Sequence, residues 1–424
     1  MSPQLDNTVP SAQVSGLQTS GSRGCSRDQS QQSDYHLASG TIHGGRSLTV
    51  QQDFWNVPLP LIGSDVAMRN TLGFVLLPVI LAASAFVFSD LPPESGALAQ
   101  DGFPAASPDG SDEVAVPKTR DGKPRVVSRE GAEYLERRRK STPFGTVKFD
   151  LQGLRAGMGT RNEPRVKGVR LIPQKIGKIP CEWVLAPGAD PDLRLLYLHG
   201  GGWVSGSGGN YLPLAADISV AARCAVLLPD YRLAPEHPFP AGLEDCIAAH
   251  DWLVANGPSG PRPAKATFIA GDSAGGNLTL ATLLALRDRK RPLPAGGITL
   301  SAATDFTLAS ESLKTVHDPI ISARTMPEFR VRYLDKTDPR NPLASPVFGE
   351  YRGLPPLLIQ VGEHEMLRDD SIRVAKKARS DGIQVKLEVW PGMVHVFQIR
   401  RLPESREAIE HIAEFMRSRV IRSR

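Results

Sequence analysis

Residues 266–286 read ATFIAGDSAGGNLTLATLLAL, and the order of the parts decides the fold. A short apolar run rich in β-formers, 266–270, turns sharply at Gly271-Asp272-Ser273-Ala274-Gly275 and continues as an apolar, helix-forming segment. Gly-x-Ser-x-Gly between a strand and a helix predicts a tight elbow with the serine hydroxyl exposed at its apex. Such a turn holds the serine in a strained conformation, and a Cβ at Gly271 or Gly275 would collide with neighbouring backbone. Five-residue patterns also arise by chance as plain Gly-Ser-Gly loops, so the surroundings must decide.

Those surroundings alternate short apolar strands with helical segments. Strands are expected at 193–198, 224–229, 297–300, 357–361 and 385–389. Helices are expected at 212–223, 243–256, 370–380 and 404–419. Near-continuous apolar strands with intervening helices predict an α/β fold, a mostly parallel sheet covered on both faces. Ahead of it, 169–173 and 180–186 alternate like an antiparallel pair. The charged stretch 130–140 looks helical, and 141–165 is polar with no clear period. A polar, Pro-containing insert at 305–350 interrupts the alternation and would sit as a lid above the carboxyl ends of the strands.

Three strand ends carry residues with chemistry. After 193–198 comes His199-Gly200-Gly201-Gly202-Trp203. Consecutive glycines let backbone N–H groups approach a bound acyl group, so Gly200 and Gly201, with the amide of Ala274, are the expected oxyanion donors. His199 reads as a loop-holding residue and not as a base. A glycine-rich turn alone means little, but one at a strand end upstream of the elbow is much rarer.

An elbow of this kind belongs to a fold that orders its triad serine, acid, histidine. Downstream histidines are His317, His364, His395 and His411. His395 follows a strand and the turn Pro391-Gly392-Met393-Val394, which places an imidazole beside the elbow. His317 lies in the insert and His411 inside the last helix, while His364, next to the acid loop, remains a rival. The acid is sought in Gly362-Glu363-His364-Glu365-Met366-Leu367-Arg368-Asp369-Asp370. Asp369, Asp370 and Ser371 precede a helical run whose N-terminus they could cap, and Glu363 reads as surface. Glu365 is the candidate, set to fix the imidazole tautomer.

Taken together, HGGGW at 199–203, DYRLAPEHPFPA at 230–241, GDSAGGN at 271–277, LPPLLIQVGEHEMLRDDS at 354–371 and WPGMVHVFQ at 390–398 resemble the hormone-sensitive-lipase-like microbial esterases of the α/β-hydrolase superfamily. The resemblance covers residues from about 181 to 398. It implies Ser273 as nucleophile, Glu365 as acid and His395 as base. Relatives often read His-Gly-Phe where this chain has His395-Val396-Phe397. It also implies a small helical cap built from about 126–165 and part of 305–350, and hydrolysis of short- to medium-chain carboxylic esters without metal or organic cofactor. Trp203 is expected on the substrate pocket. A lactone or an acetylated carbohydrate would use the same machinery. A non-catalytic small-molecule receptor on this fold is the rival from another class, and such receptors lose the catalytic histidine.

The chain has 424 residues, 41% hydrophobic and 22% charged, an ordinary globular composition. Its net charge of +5 is mild and its basic residues are scattered. The one tight run, Arg137 to Lys140, reads as an exposed helix face, so nucleic acid gains no support as a partner. Residues 1–67 are rich in Ser, Gln and Gly and predict a disordered or misassigned leader. From Met68, a positive start, the uncharged run 71–89 and Ala97-Leu98-Ala99 read as a signal peptide, 68–99, cleaved after Ala99. That implies export, with no lasting membrane partner. A single membrane anchor is the alternative, although Pro78 interrupts the run. Residues 100–125 read as a linker, and 126–424 as the folded domain. The four cysteines, Cys25, Cys181, Cys224 and Cys246, have no disulfide or metal spacing, and the last three read as buried side chains.

Overall fold

The computed structural model describes residues 125–420. The leader, the signal or anchor segment and all but the last residue of the linker lie outside the described residues. No helix among the described residues is long and apolar enough to cross a membrane.

Eight strands form the sheet: β1 Arg170–Ile176, β2 Ile179–Leu185, β3 Asp190–Leu198, β4 Cys224–Pro229, β5 Ala266–Asp272, β6 Gly296–Leu300, β7 Leu357–Gly362 and β8 Val385–Trp390. Their order is β1-β2-β4-β3-β5-β6-β7-β8. Only β2 runs against its neighbours; β4, β3, β5, β6, β7 and β8 are parallel. This is the mostly parallel α/β sheet that the apolar strand runs predict.

Alternation along the strands feeds two cores. On β3, Leu196 and Leu198 face one side and Leu195 and Tyr197 the other. The first side is covered by α4 Ala241–Ala255, α5 Ala274–Asp288 and α8 Arg368–Ser380; the second by α3 Leu212–Ala222 and α9 Pro403–Val420. Every residue of α5 from Ala274 to Leu286 is buried, as an apolar helix pressed between sheet and loops must be. The three cysteines within the described residues are free and buried, in keeping with their reading as small core side chains.

Two segments stand apart from the layers. α1, Arg129–Arg139, packs on α9, where Glu404 accepts the Ser128 N–H at 2.7 Å and its hydroxyl at 3.0 Å. α2, Leu151–Met158, lies in the stretch whose sequence shows no period; it is capped by Asp150, which accepts the Gly153 N–H at 3.0 Å. The 305–350 insert holds a short helix, α6 Ser312–Thr315, and α7 Thr325–Leu334. The two regions meet. Phe144 bridges to Ile321, and the rings of Phe149 and Phe329 touch edge to face at 5.4 Å.

Candidate active site

β5 delivers Ser273 at the start of α5. Its φ is +51° and ψ −115°, a conformation that costs a serine about 1–3 kcal/mol unless the surroundings enforce it. They do: the Ser273 N–H donates to the Leu300 carbonyl at 2.9 Å, and its carbonyl accepts from Asn277 at 3.1 Å. A Cβ on Gly275 would run into the Leu198 carbonyl, and one on Gly271 into that of Gly275. The glycines are therefore required for the packing of strand against helix, as the sequence predicts. Ser273 is the partly exposed residue of an otherwise buried elbow.

The acid loop leaves β7 and the histidine loop leaves β8. His395 Nδ1 lies 2.8 Å from Glu365 Oε2, with the histidine 5% and the glutamate 0% exposed. The other carboxylate oxygen accepts the Ser301 hydroxyl at 2.9 Å and the Gly362 N–H. Burial of the ring opposes its charge, but the Glu365 hydrogen bond and the charges of Glu365, Asp318 and Asp272 outweigh it and hold the imidazole above its ordinary pKa. With Nδ1 engaged, Nε2 is the nitrogen left to exchange a proton.

The other acidic candidates go elsewhere. Glu363 is exposed and accepts the Gly392 N–H at 2.8 Å. Asp369 and Asp370 do not cap α8, whose N-cap position is Leu367. Asp369 accepts the Ser312 N–H at 2.7 Å, and Asp370 the Thr304 N–H at 2.6 Å and the Ser310 hydroxyl, so both fasten the insert. Burial lifts the Asp370 carboxyl to about 6. Among the other histidines, His364 lies 3.3 Å from Arg139, His411 pairs with Glu388 at 2.8 Å, and His317 is exposed.

One expected oxyanion donor is corrected. The Gly200 N–H points to Asp272 Oδ1 and to the Tyr211 hydroxyl, both at 3.1 Å and all buried. It is occupied, and a donor already satisfied inside the protein has little to offer a developing charge. Among the described residues the N–H groups of Gly201, Gly202 and Ala274 have no such partner: Ala274 opens a helix, and Gly201 and Gly202 have φ of +119° and +64° in a tight turn. Gly202 is the residue that the choice of Gly200 leaves out.

His199 matches its loop-holding reading. Its Nδ1 donates to the Gly200 carbonyl at 2.8 Å, its carbonyl accepts the Tyr231 hydroxyl at 2.6 Å, and its ring stacks on Tyr231 at 4.2 Å. Burial lowers its pKa. Trp203, expected on the substrate pocket, is 2% exposed, stacked on Tyr333 at 4.9 Å and beside Phe306 at 4.7 Å.

Several residues of the site escape sequence reasoning. Ser301 ties Glu365 to the His395 loop, accepting the Val396 N–H at 3.1 Å. Buried Asp318 accepts the Met366 N–H at 3.2 Å, beside the acid. Asp272 takes bonds from two tyrosines. Its place inside the elbow is the one signal that could have found it: a carboxylate buried between two glycines needs partners. Backbone strain marks the same loops, because Trp203, Ser273, Ser301 and Val396 all have positive φ.

Residues 195–399 match a family described as an alpha/beta hydrolase fold. The chain is 41% identical over 247 residues to an acetyl-hydrolase of Streptomyces hygroscopicus, covering 57% of this chain and 81% of that one. It is 34% identical over 260 residues to an esterase of Acinetobacter venetianus, covering 60% and 84%. A solved esterase from the bacterial hormone-sensitive lipase family superposes with a TM-score of 0.62 at 38% identity, over 70% of this chain and 100% of that one.

Proposed function

The chain belongs to the hormone-sensitive-lipase-like carboxylic ester hydrolases of the α/β-hydrolase fold, and we propose that it cleaves short- to medium-chain esters through an acyl-enzyme on Ser273. The observation that carries this reading is the buried His395–Glu365 contact of 2.8 Å at the ends of β8 and β7. It fixes the imidazole tautomer and leaves Nε2 to take up a proton, while Ser273 stands partly exposed just beyond β5.

In the proposed cycle, His395 takes the Ser273 proton as the oxygen attacks the ester carbonyl. Glu365, in contact with Nδ1, stabilises the imidazolium. The tetrahedral oxyanion is met by the amides of Gly201, Gly202 and Ala274, each such donor contributing about 3–4 kcal/mol to the transition state. The imidazolium returns its proton to the leaving alcohol. His395 then activates water, which releases the acid and restores the serine.

The aromatic packing beside the glycine turn supports a short acyl group. Phe329 of α7 stands against Gly202, and Trp203, Phe306 and Tyr333 close ranks behind it. The name of the Streptomyces relative, an acetyl-hydrolase, points the same way. The test is hydrolysis of p-nitrophenyl esters of increasing acyl length beside Ser273→Ala. Turnover that peaks at short chains and vanishes in the variant is expected. An optimum at long chains would remove the acyl-size reading, and an active Ser273→Ala would remove the mechanism.

A further inference from the structure

Asp272 stands directly before Ser273, at the end of β5, and its side chain reaches across to the neighbouring strand end. It is buried, and both carboxylate oxygens are engaged. Oδ1 accepts the Tyr197 hydroxyl at 3.0 Å and the Gly200 N–H at 3.1 Å; Oδ2 accepts the Tyr211 hydroxyl at 2.8 Å. A Cβ at Gly200 would strike the same carboxylate. The first glycine of the loop is thus seated on Asp272. A buried carboxylate is costly to keep, and here it ties the loop carrying the proposed oxyanion amides to the residue next to the proposed nucleophile.

We infer that Asp272 is a positioning residue for ester hydrolysis, fixing Gly200 so that the amides of Gly201 and Gly202 are aimed at the carbonyl oxygen of an ester on Ser273. The inference rests on the serine-esterase reading above. Asp272 touches no reacting atom. It sets the loop relative to the elbow through its hydrogen bond to Gly200, Tyr197 and Tyr211 set the carboxylate, and the Tyr211 hydroxyl shares the Gly200 N–H at 3.1 Å. The gain is preorganisation, because donors already in place need not be ordered as charge develops. Its loss should therefore appear in the transition state and not in ground-state binding.

The experiment uses the full chain, p-nitrophenyl butyrate as substrate and an alkyl trifluoromethyl ketone, which forms a tetrahedral oxyanion adduct with a serine, as inhibitor. Asp272→Ala should lower kcat by about 100-fold while KM stays within ~3-fold. Its affinity for the ketone should fall in parallel with kcat, as expected of a transition-state mimic. Asp272→Asn keeps an oxygen for the Gly200 N–H and should recover activity to within about tenfold of the parent. A merely structural residue would shift the melting temperature without this split and without rescue by asparagine. A folded Asp272→Ala with parental kcat and ketone affinity overturns the proposal. If that variant does not fold, Tyr197→Phe, which removes a hydroxyl that bonds Asp272 and not Gly200, decides by the same two readouts: a kcat-selective loss supports the proposal, and no change overturns it. Ser273→Ala is run alongside. Turnover retained there would sink the serine reading and this inference with it, whereas an inert Ser273→Ala beside an unaffected Asp272→Ala sinks this inference alone.

Discussion

The Ser301 hydroxyl donates to Glu365 at 2.9 Å and accepts the Val396 N–H at 3.1 Å, so one side chain at the end of β6 fastens the acid to the residue after the histidine. Ser301→Ala should leave KM unchanged and lower kcat by about tenfold, the loss of roughly one hydrogen bond to a charged group. Steady-state kinetics check this. A unchanged kcat would mean that Gly362 and His395 alone hold the carboxylate.

Glu365→Gln should lower kcat by about 10⁴-fold, because the amide favours the wrong imidazole tautomer. Asp369→Ala should keep kcat within a few-fold and lower the melting temperature, since Asp369 holds the insert through the Ser312 N–H at 2.7 Å. Activity lost in the second variant and kept in the first would reverse the roles.

The pH profile follows from the direction of the His395 shift. In the proposed cycle the neutral ring is the working base, and burial, which favours neutrality, is outweighed by Glu365, Asp318 and Asp272. kcat/KM should therefore fall as pH drops through a midpoint above the ordinary imidazole value. Asp318→Asn removes one of the carboxylates that favour the charged ring, so its acid limb should move to lower pH. An unmoved limb would show that Asp318 does not influence the base.

Trp203→Ala separates a core residue from a pocket wall. Removing an indole stacked on Tyr333 should cost about 3–5 kcal/mol, seen in urea unfolding, with kcat also reduced as the adjoining glycine turn loosens. A variant of parental stability whose only change is in acyl-chain preference would return Trp203 to the pocket.

What the sequence reveals and what it hides divide along the range of the interactions. Apolar runs announce β3 to β8 because both faces of a parallel sheet are buried, and the glycines of the elbow announce a close approach of backbone. The contact of Glu365 with His395 is legible as two strand ends in the expected order. α2 is hidden because LQGLRAGM carries two glycines and is only eight residues long. Asp369 and Asp370 look like caps because a local reading cannot see partners some 60 residues away in the insert. Which glycine amides are free is hidden for the same reason. Gly200 is set apart from Gly201 and Gly202 by Asp272 and Tyr211, which reach its N–H from elsewhere in the chain.

The pairing of β3 with β5 runs to its last step with Leu198 opposite Gly271. The glycine turn and the serine elbow therefore start about one strand spacing, some 4.8 Å, apart. That separation is set by main-chain hydrogen bonds of the sheet. The insert and the N-terminal helices hang from other parts of the chain. Selection can thus rework the walls that choose an ester while the distance over which the bond is broken stays constant, and the scaffold inherits chemistry and specificity as separable traits.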